Sequence, residues 1–306
     1  MRRLLLWMAG NRWLRRRIPQ FGFARKAVLR FMPGEDADSA LRAAAQFKLQ
    51  GISSALTRLG ENVTRVEEAD EVAAHYLELL ERIAAKGLDA EISVKLTQLG
   101  LDLDSERTLA HVRRLAERAA AVRRTVWIDM EGSAYTESTI AFYERLRPTC
   151  ANTGLCLQAY LRRTAADVER LMPLDPAIRV VKGAYAEPPA IAFQTRQEVD
   201  RSYVALSKAM LDAVCDGRRI RIALGTHDVR LIEEIAGYAA QLKLPQTSFE
   251  VQMLYGIRVD EQRRLAREGY PVRDLICYGA AWYPWYMRRL AERPANVIFA
   301  LRQLLP

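Results

Sequence analysis

The residues best suited to chemistry stand near the end of the chain. In the stretch PWYMRRLAERPAN, residues 284–296, the adjacent arginines Arg288 and Arg289 follow Trp285 and Tyr286. Glu292 comes four and three residues after them, which on a helix puts a carboxylate on the same face as the pair. Such a group is either a solvated ion network or a carboxylate clamp. Two planar guanidiniums grip a small carboxylate through bidentate hydrogen bonds that one lysine cannot make. Other charges end apolar runs: Lys95 in ISVKL, Asp129 in WIDME, and Arg179 and Lys182 on either side of two valines. Lys95 and Asp129 read as a buried ion pair or as part of a ligand site, since an interior charge needs a partner in both cases. Alternation along a strand separates the directions of Arg179 and Lys182. Gly183 and Ala184 come next, and glycine lets the backbone approach a bound group closely. Thr226 and His227 precede a helical pattern, where they either address an anion or belong to a Thr or Asp cap.

These residues need a frame, and the hydrophobic pattern supplies one. Short apolar runs recur at 52–57, 90–96, 125–130, 154–160, 178–185, 219–225, 247–254 and 272–279. Amphipathic stretches fill the intervals, at about 61–86, 105–122, 135–147, 164–171, 195–215, 228–242, 258–268 and 282–293, after a first helix at 37–50. Eight strand–helix pairs without a linker predict an α/β fold, a (β/α)₈ TIM barrel with an N-terminal helical arm. A doubly wound sheet is the rival, but no GxGxxG follows an early strand. In a barrel, function gathers where strands end. Lys95, Asp129, Glu131, Gln158, Arg179, Lys182, His227, Glu250 and Gln252 are assigned there.

Charge and composition narrow the partners. Residues 1–30 carry nine basic residues and no acidic one, which accounts for the whole net charge of +9. The body is therefore neutral overall and gives no electrostatic reason to expect nucleic acid. The arm mixes those charges with Leu4, Trp7, Trp13, Phe21 and Phe23, so it either lies on an anionic bilayer or packs on the body. Its apolar run at 4–9 is too short to span a membrane. Four cysteines without a CxxC pair and three scattered histidines predict a reducing compartment and no metal. Asp129, Glu131 and Glu250 could in principle serve glycoside hydrolysis. The cations around them would lower carboxylate pKa values and work against a general acid. They suit a ligand bearing carboxylate and phosphate groups better.

Taken together the motifs resemble the proline dehydrogenase family, flavin-dependent enzymes with a distorted (β/α)₈ barrel. The marks are LGE at 59–61, ISVKLTQLG at 92–100, IDME at 128–131, LQAYLRR at 157–163, RVVKGAYAE at 179–187, GTHD at 225–228, EVQMLYGI at 250–257 and YMRRLAERPAN at 286–296. The resemblance implies FAD over the C-terminal end of the barrel, contacted by Met130, Gln158, Arg179, Val181, Lys182, Gly183 and Ala184. Arg179 would lie near the flavin N5, and Thr226 and His227 by the ribityl–phosphate portion. Lys95, Arg288 and Arg289 would clamp the carboxylate of L-proline, with Asp129 ordering the polar side and Glu292 supporting the arginines. It further implies hydride transfer from proline C5, release of Δ1-pyrroline-5-carboxylate, and reoxidation by a membrane quinone. The expected organisation is an arm at 1–50 and a catalytic barrel at 51–306. The expected setting is cytoplasmic, with peripheral contact at the inner face of the cell membrane. The chain departs from the family at the substrate wall: Trp285 and Leu275 stand where tyrosines are usual, and Thr57 where aspartate is common. A reshaped wall shifts substrate preference by about 1–3 kcal/mol. Another imino or small amino acid, or a non-enzymatic FAD-binding barrel, is the alternative.

Overall fold

The structure is a computed structural model that describes residues 5, 7, 8, 10–22 and 28–292; the side chains of Arg12, Arg15, Pro19, Ala291 and Glu292 fall outside the description. Eight strands run in chain order as β1 (Ser53–Arg58), β2 (Ala90–Val94), β3 (Val126–Ile128), β4 (Thr153–Gln158), β5 (Ala177–Val181), β6 (Arg221–Gly225), β7 (Glu250–Leu254) and β8 (Val272–Tyr278). Each pairs in parallel with the next, and β8 pairs with β1, closing the predicted barrel. The helices are α1 (Arg12–Arg17), α2 (Ala37–Lys48), α3 (Val66–Ala85), α4 (Ser105–Ala121), α5 (Thr136–Leu146), α6 (Thr164–Leu171), α7 (Arg196–Cys215), α8 (Val229–Gln241), α9 (Val259–Arg267) and α10 (Trp282–Glu292).

Local chemistry sets their ends. Asp36 accepts from Ser39 N at the head of α2, Asp104 from Arg107 N at α4, and Thr195 with Glu198 forms a reciprocal capping box at α7. The pattern at 61–86 predicts a longer helix than is found. Asn62 is in the left-handed region and Val63 N bonds to Thr97 O, so 61–65 is a loop ahead of α3.

Alternation divides each strand between two environments. Outward-facing Leu56, Ile92, Val94, Ile128, Leu155, Leu157, Ile178 and Ile276 join the surrounding helices in the main apolar core. The inward set is polar: Glu91, Ser93 and Lys95 from β2 and its exit, Asp129 after β3, Arg179, Arg221, Gln252 and Arg273 bond to one another across the barrel. Trp127 plugs the base, packed on Ala177 and Ala223. A Cβ on Gly154 would lie 2.5 Å from its indole, which is why the facing position carries no side chain.

Glu250 is the first residue of β7, so it enters the barrel at the end opposite the strand exits. The run 247–254 had suggested a longer strand with Glu250 farther along it, but Gln246–Ser248 forms a 3₁₀ turn first. There Glu250 is locked between Arg273 and Arg221, at 3.0 and 3.2 Å, which removes it from the glycoside-hydrolase reading.

The arm packs on the body where it is described. Leu5, Val28, Phe31 and Met32 share an apolar cluster with Trp282, Tyr283, Trp285, Tyr286, Met287 and Leu290 of α10. Trp282 Nε1 donates to Glu35 Oε1 at 3.1 Å. Trp7 and Trp13 point away from this cluster and are 61% and 66% exposed. Among the described residues no helix is long and apolar enough to cross a membrane.

Candidate active site

The strand exits bring two groups of residues to one face. The first is cationic. Lys95, just past β2, lies 3.8 Å from Asp129 and lines a cleft with Glu61, Trp285 and Arg288. Lys95 and Arg289 both act on Cys277, whose thiol burial pushes up to about 12 against the pull of these cations. Lys95 and Arg288 therefore come from elements nearly two hundred residues apart in sequence to line one cleft, while Arg289 is placed only by its shared influence on Cys277. Arg288 projects from the second turn of α10 onto Glu61, with Nη1 and Nη2 donating at 3.0 and 3.3 Å. Its guanidinium carbon also sits 5.6 Å from the centroid of the Tyr185 ring. The Glu292 side chain lies outside the described residues, and the carboxylate described against Arg288 is Glu61.

Glu61 and Tyr185 were not singled out from sequence as site residues. Both had a signal, since each lies inside a motif, LGE and RVVKGAYAE. Trp285 is 8% exposed and shares an apolar cluster with Leu59 and Leu275, so the two positions that depart from tyrosine fall on one wall.

The second group surrounds Arg179, which is 3% exposed. Its Nη2 donates to Ser93 Oγ at 2.8 Å and to Asp129 Oδ1, which also accepts from Ser93 Oγ. The Lys95–Asp129 pair read from sequence is thus part of a larger set in which Arg179 is the closer partner. Glu131, two residues on, accepts from Thr97 N and Oγ1 at 3.2 and 2.6 Å. Burial pushes its carboxyl up, against the opposing hydrogen bonds from Thr97 and the charge of Lys95.

Beside Arg179, the register aligns Gln158, Val181 and Gly225 across β4, β5 and β6. Gln158 Nε2 donates to the carbonyls of Met130 and Glu131, while its buried Oε1 meets no donor among the described residues. A buried acceptor left open in this way fits a ligand that brings an N–H. Gly183 has φ +109°, and a Cβ there would fall 2.2 Å from the Tyr160 ring, so the backbone hugs the floor of this edge. Ala184, half-buried, follows it in the same loop. Lys182 turns the other way, as alternation requires, to Asp200 and Asp228 at 2.5 and 3.2 Å. Burial opposes ionisation of Asp228, but hydrogen bonds from Arg230, Arg196 and Lys182 hold its carboxyl well below the usual range. Thr226 Oγ1 accepts from Asp228 N at 3.1 Å, a local turn that leads into α8, with His227 half-buried between them.

The arrangement offers a cationic cleft beside an edge with an open acceptor and a close-approach glycine. A family model described as Proline dehydrogenase matches residues 40–302. Proline dehydrogenase 1 of Bacillus subtilis subsp. natto is 35% identical over 305 residues, covering 100% of this chain and 99% of that protein. The proline dehydrogenase of Deinococcus radiodurans is 34% identical over 281 residues, covering 90% and 89%. In fold, the chain is similar to the crystal structure of proline utilization A from Bdellovibrio bacteriovorus inactivated by N-propargylglycine, with a TM-score of 0.81 at 23% identity. That likeness covers 88% of this chain and 33% of the other. A closed eight-stranded barrel, full-length likeness to curated relatives and a family model spanning the barrel together make this chain a member of the proline dehydrogenase family.

Proposed function

We propose that the chain oxidises L-proline to Δ1-pyrroline-5-carboxylate with FAD as its cofactor and a membrane quinone as the final acceptor. The observation that carries the reading is the meeting of Lys95 and Arg288 in one cleft, next to the buried Arg179–Asp129 pair and the open Gln158 acceptor. Lys95, Arg288 and Arg289 bind the substrate carboxylate, and Arg288 must exchange part of its bond with Glu61 to do so. Tyr185 and Trp285 face the substrate ring. Gln158 Oε1 suits an N–H of the flavin ring, Met130, Val181, Gly183 and Ala184 line the cofactor edge, where Lys182 offers its backbone while Asp200 and Asp228 hold its side chain, and Thr226 and His227 serve the ribityl–phosphate portion. Arg179, braced by Asp129, holds a cation toward the flavin N5. When bound, FAD supplies the two-electron acceptor for the hydride leaving proline C5, while the amine proton departs as the C=N bond forms. The protein's own contribution is orientation and charge placement rather than covalent chemistry.

A second reading keeps the cofactor and changes the substrate. Trp285 and Leu275 reshape the same wall, which favours another imino acid or small amino acid of altered ring size. The exposed Trp7 and Trp13 on a basic arm support peripheral contact with an anionic membrane. Purified protein mixed anaerobically with L-proline should lose its oxidised flavin absorbance and regain it with a quinone analogue. A flavin spectrum unmoved by L-proline but bleached by a different imino acid would replace the substrate. Equal lipid cosedimentation with and without residues 1–30 would remove the membrane role of the arm.

A further inference from the structure

The buried polar chain below Arg179 has no part in the clamp. Arg179 Nη1 donates to Gln252 Oε1 at 3.1 Å, and Gln252 Nε2 donates to Glu250 Oε1 at 2.6 Å. Glu250 accepts in turn from Arg273 Nε at 3.0 Å and from Arg221 at 3.2 Å. Arg273 is tied to the wall by Ser54 O at 2.8 Å. Gln252, Glu250 and Arg273 are all at most 9% exposed. The direction of the amide is forced: a guanidinium only donates and a carboxylate held by two arginines only accepts, so a single amide fits between them one way round.

Asp129 and Ser93 both act on Nη2, at one corner of the planar guanidinium. The guanidinium carbon also lies 4.9 Å from the centroid of the Trp127 ring, a contact that still leaves the plane free to rotate within itself about that corner. The Gln252 contact on Nη1 is the second hydrogen-bonded point, and it fixes that rotation. From this geometry we infer that Gln252, footed on Glu250, is a positioning residue that aims Arg179 at the cofactor. This rests on the flavin reading above and deepens it. A cation held at a fixed distance from a redox ring favours the electron-rich reduced state, so the same brace sets the cofactor's reduction potential.

The test compares Gln252→Met, close in volume but without the amide, with Gln252→Glu. Flavin content, the potential by dithionite titration, kcat, KM for L-proline and the melting temperature of flavin-free protein are read for each. For Gln252→Met, we expect flavin retained, a lower potential, KM within about threefold of wild type and kcat down by about tenfold to a hundredfold. In Gln252→Glu an ionised side chain repels Glu250, whereas the protonated acid regains both a carbonyl acceptor and an O–H donor. Its deficit in potential and kcat relative to wild type should therefore shrink as pH falls. A Gln252→Met protein with unchanged potential and kcat overturns the proposal. So does a loss that follows the melting temperature in both variants with no recovery at low pH. A wild type that holds flavin but ignores L-proline sinks the substrate reading alone, because the dithionite titration still compares the variants. A wild type that holds no flavin overturns both.

Discussion

Asp274 offers a sharp test of how this barrel tolerates buried charge. It lies on β8 but faces outward, toward α9 and away from the ionic interior, and it is fully buried. Neither of its carboxyl oxygens meets a donor among the described residues. Its neighbour Gln262 spends Nε2 on the carbonyls of Leu254 and Ile257, leaving Oε1 without a donor. Burial pushes the Asp274 carboxyl well above its ordinary value. The folded protein thus holds a proton that the unfolded chain releases near pH 4. Stability from this group is fully present below that pH and is lost as pH rises toward the folded-state pKa, at about 1.4 kcal/mol per pH unit. Unfolding entropy of about 2.1 cal/mol/K per residue over 306 residues turns this into about 2 °C per unit. Asp274→Asn cannot ionise, and its amide N–H₂ can donate to Gln262 Oε1. The variant should melt with wild type near pH 4 and progressively above it as pH rises, until the folded-state pKa is passed. Scanning calorimetry of both proteins in about half-unit pH steps reads the gap directly, because all other titrating groups are common to the pair. A gap independent of pH, or a variant that melts lower throughout, would refute the account of a neutral buried acid.

Three further outcomes follow from the site. Arg288→Lys removes the fork and should raise KM for L-proline by about tenfold or more while flavin content stays at wild-type level, measured by steady-state kinetics and absorbance. Glu61→Gln removes the carboxylate that holds Arg288 at 3.0 Å, so KM should fall rather than rise; an increase would mean that Glu61 orients the clamp instead of competing with substrate. Gly183→Ala forces a side chain at φ +109° into the Tyr160 ring and should cost about 1–3 kcal/mol in thermal or denaturant unfolding, with flavin lost on gel filtration.

How far the sequence could be read depended on the range of the interaction. Ile92 and Val94 alternate with Glu91, Ser93 and Lys95, and that local period already separates the helix-packed face from the interior. The same alternation separated the directions of Arg179 and Lys182 without saying which entered the barrel; the ion pairs show Arg179 inside and Lys182 turned to Asp200 and Asp228. Partner identity is different in kind. Arg288 meets Glu61 across 227 positions and Arg179 meets Gln252 across 73, and no periodicity inside either segment specifies these contacts. Closure of the barrel does, by setting β8 beside β1 and tilting every strand so that residues of unlike depth in sequence share a layer. Glu250 shows the consequence: its type suggested a site acid, but starting β7 three residues later moved it from the reactive face to the footing beneath Arg179. Composition alone cannot separate those two roles, because a carboxylate beside arginines is required in both. What separates them is the end of the barrel from which the side chain enters, and in a strand of five residues that turns on where the preceding turn stops.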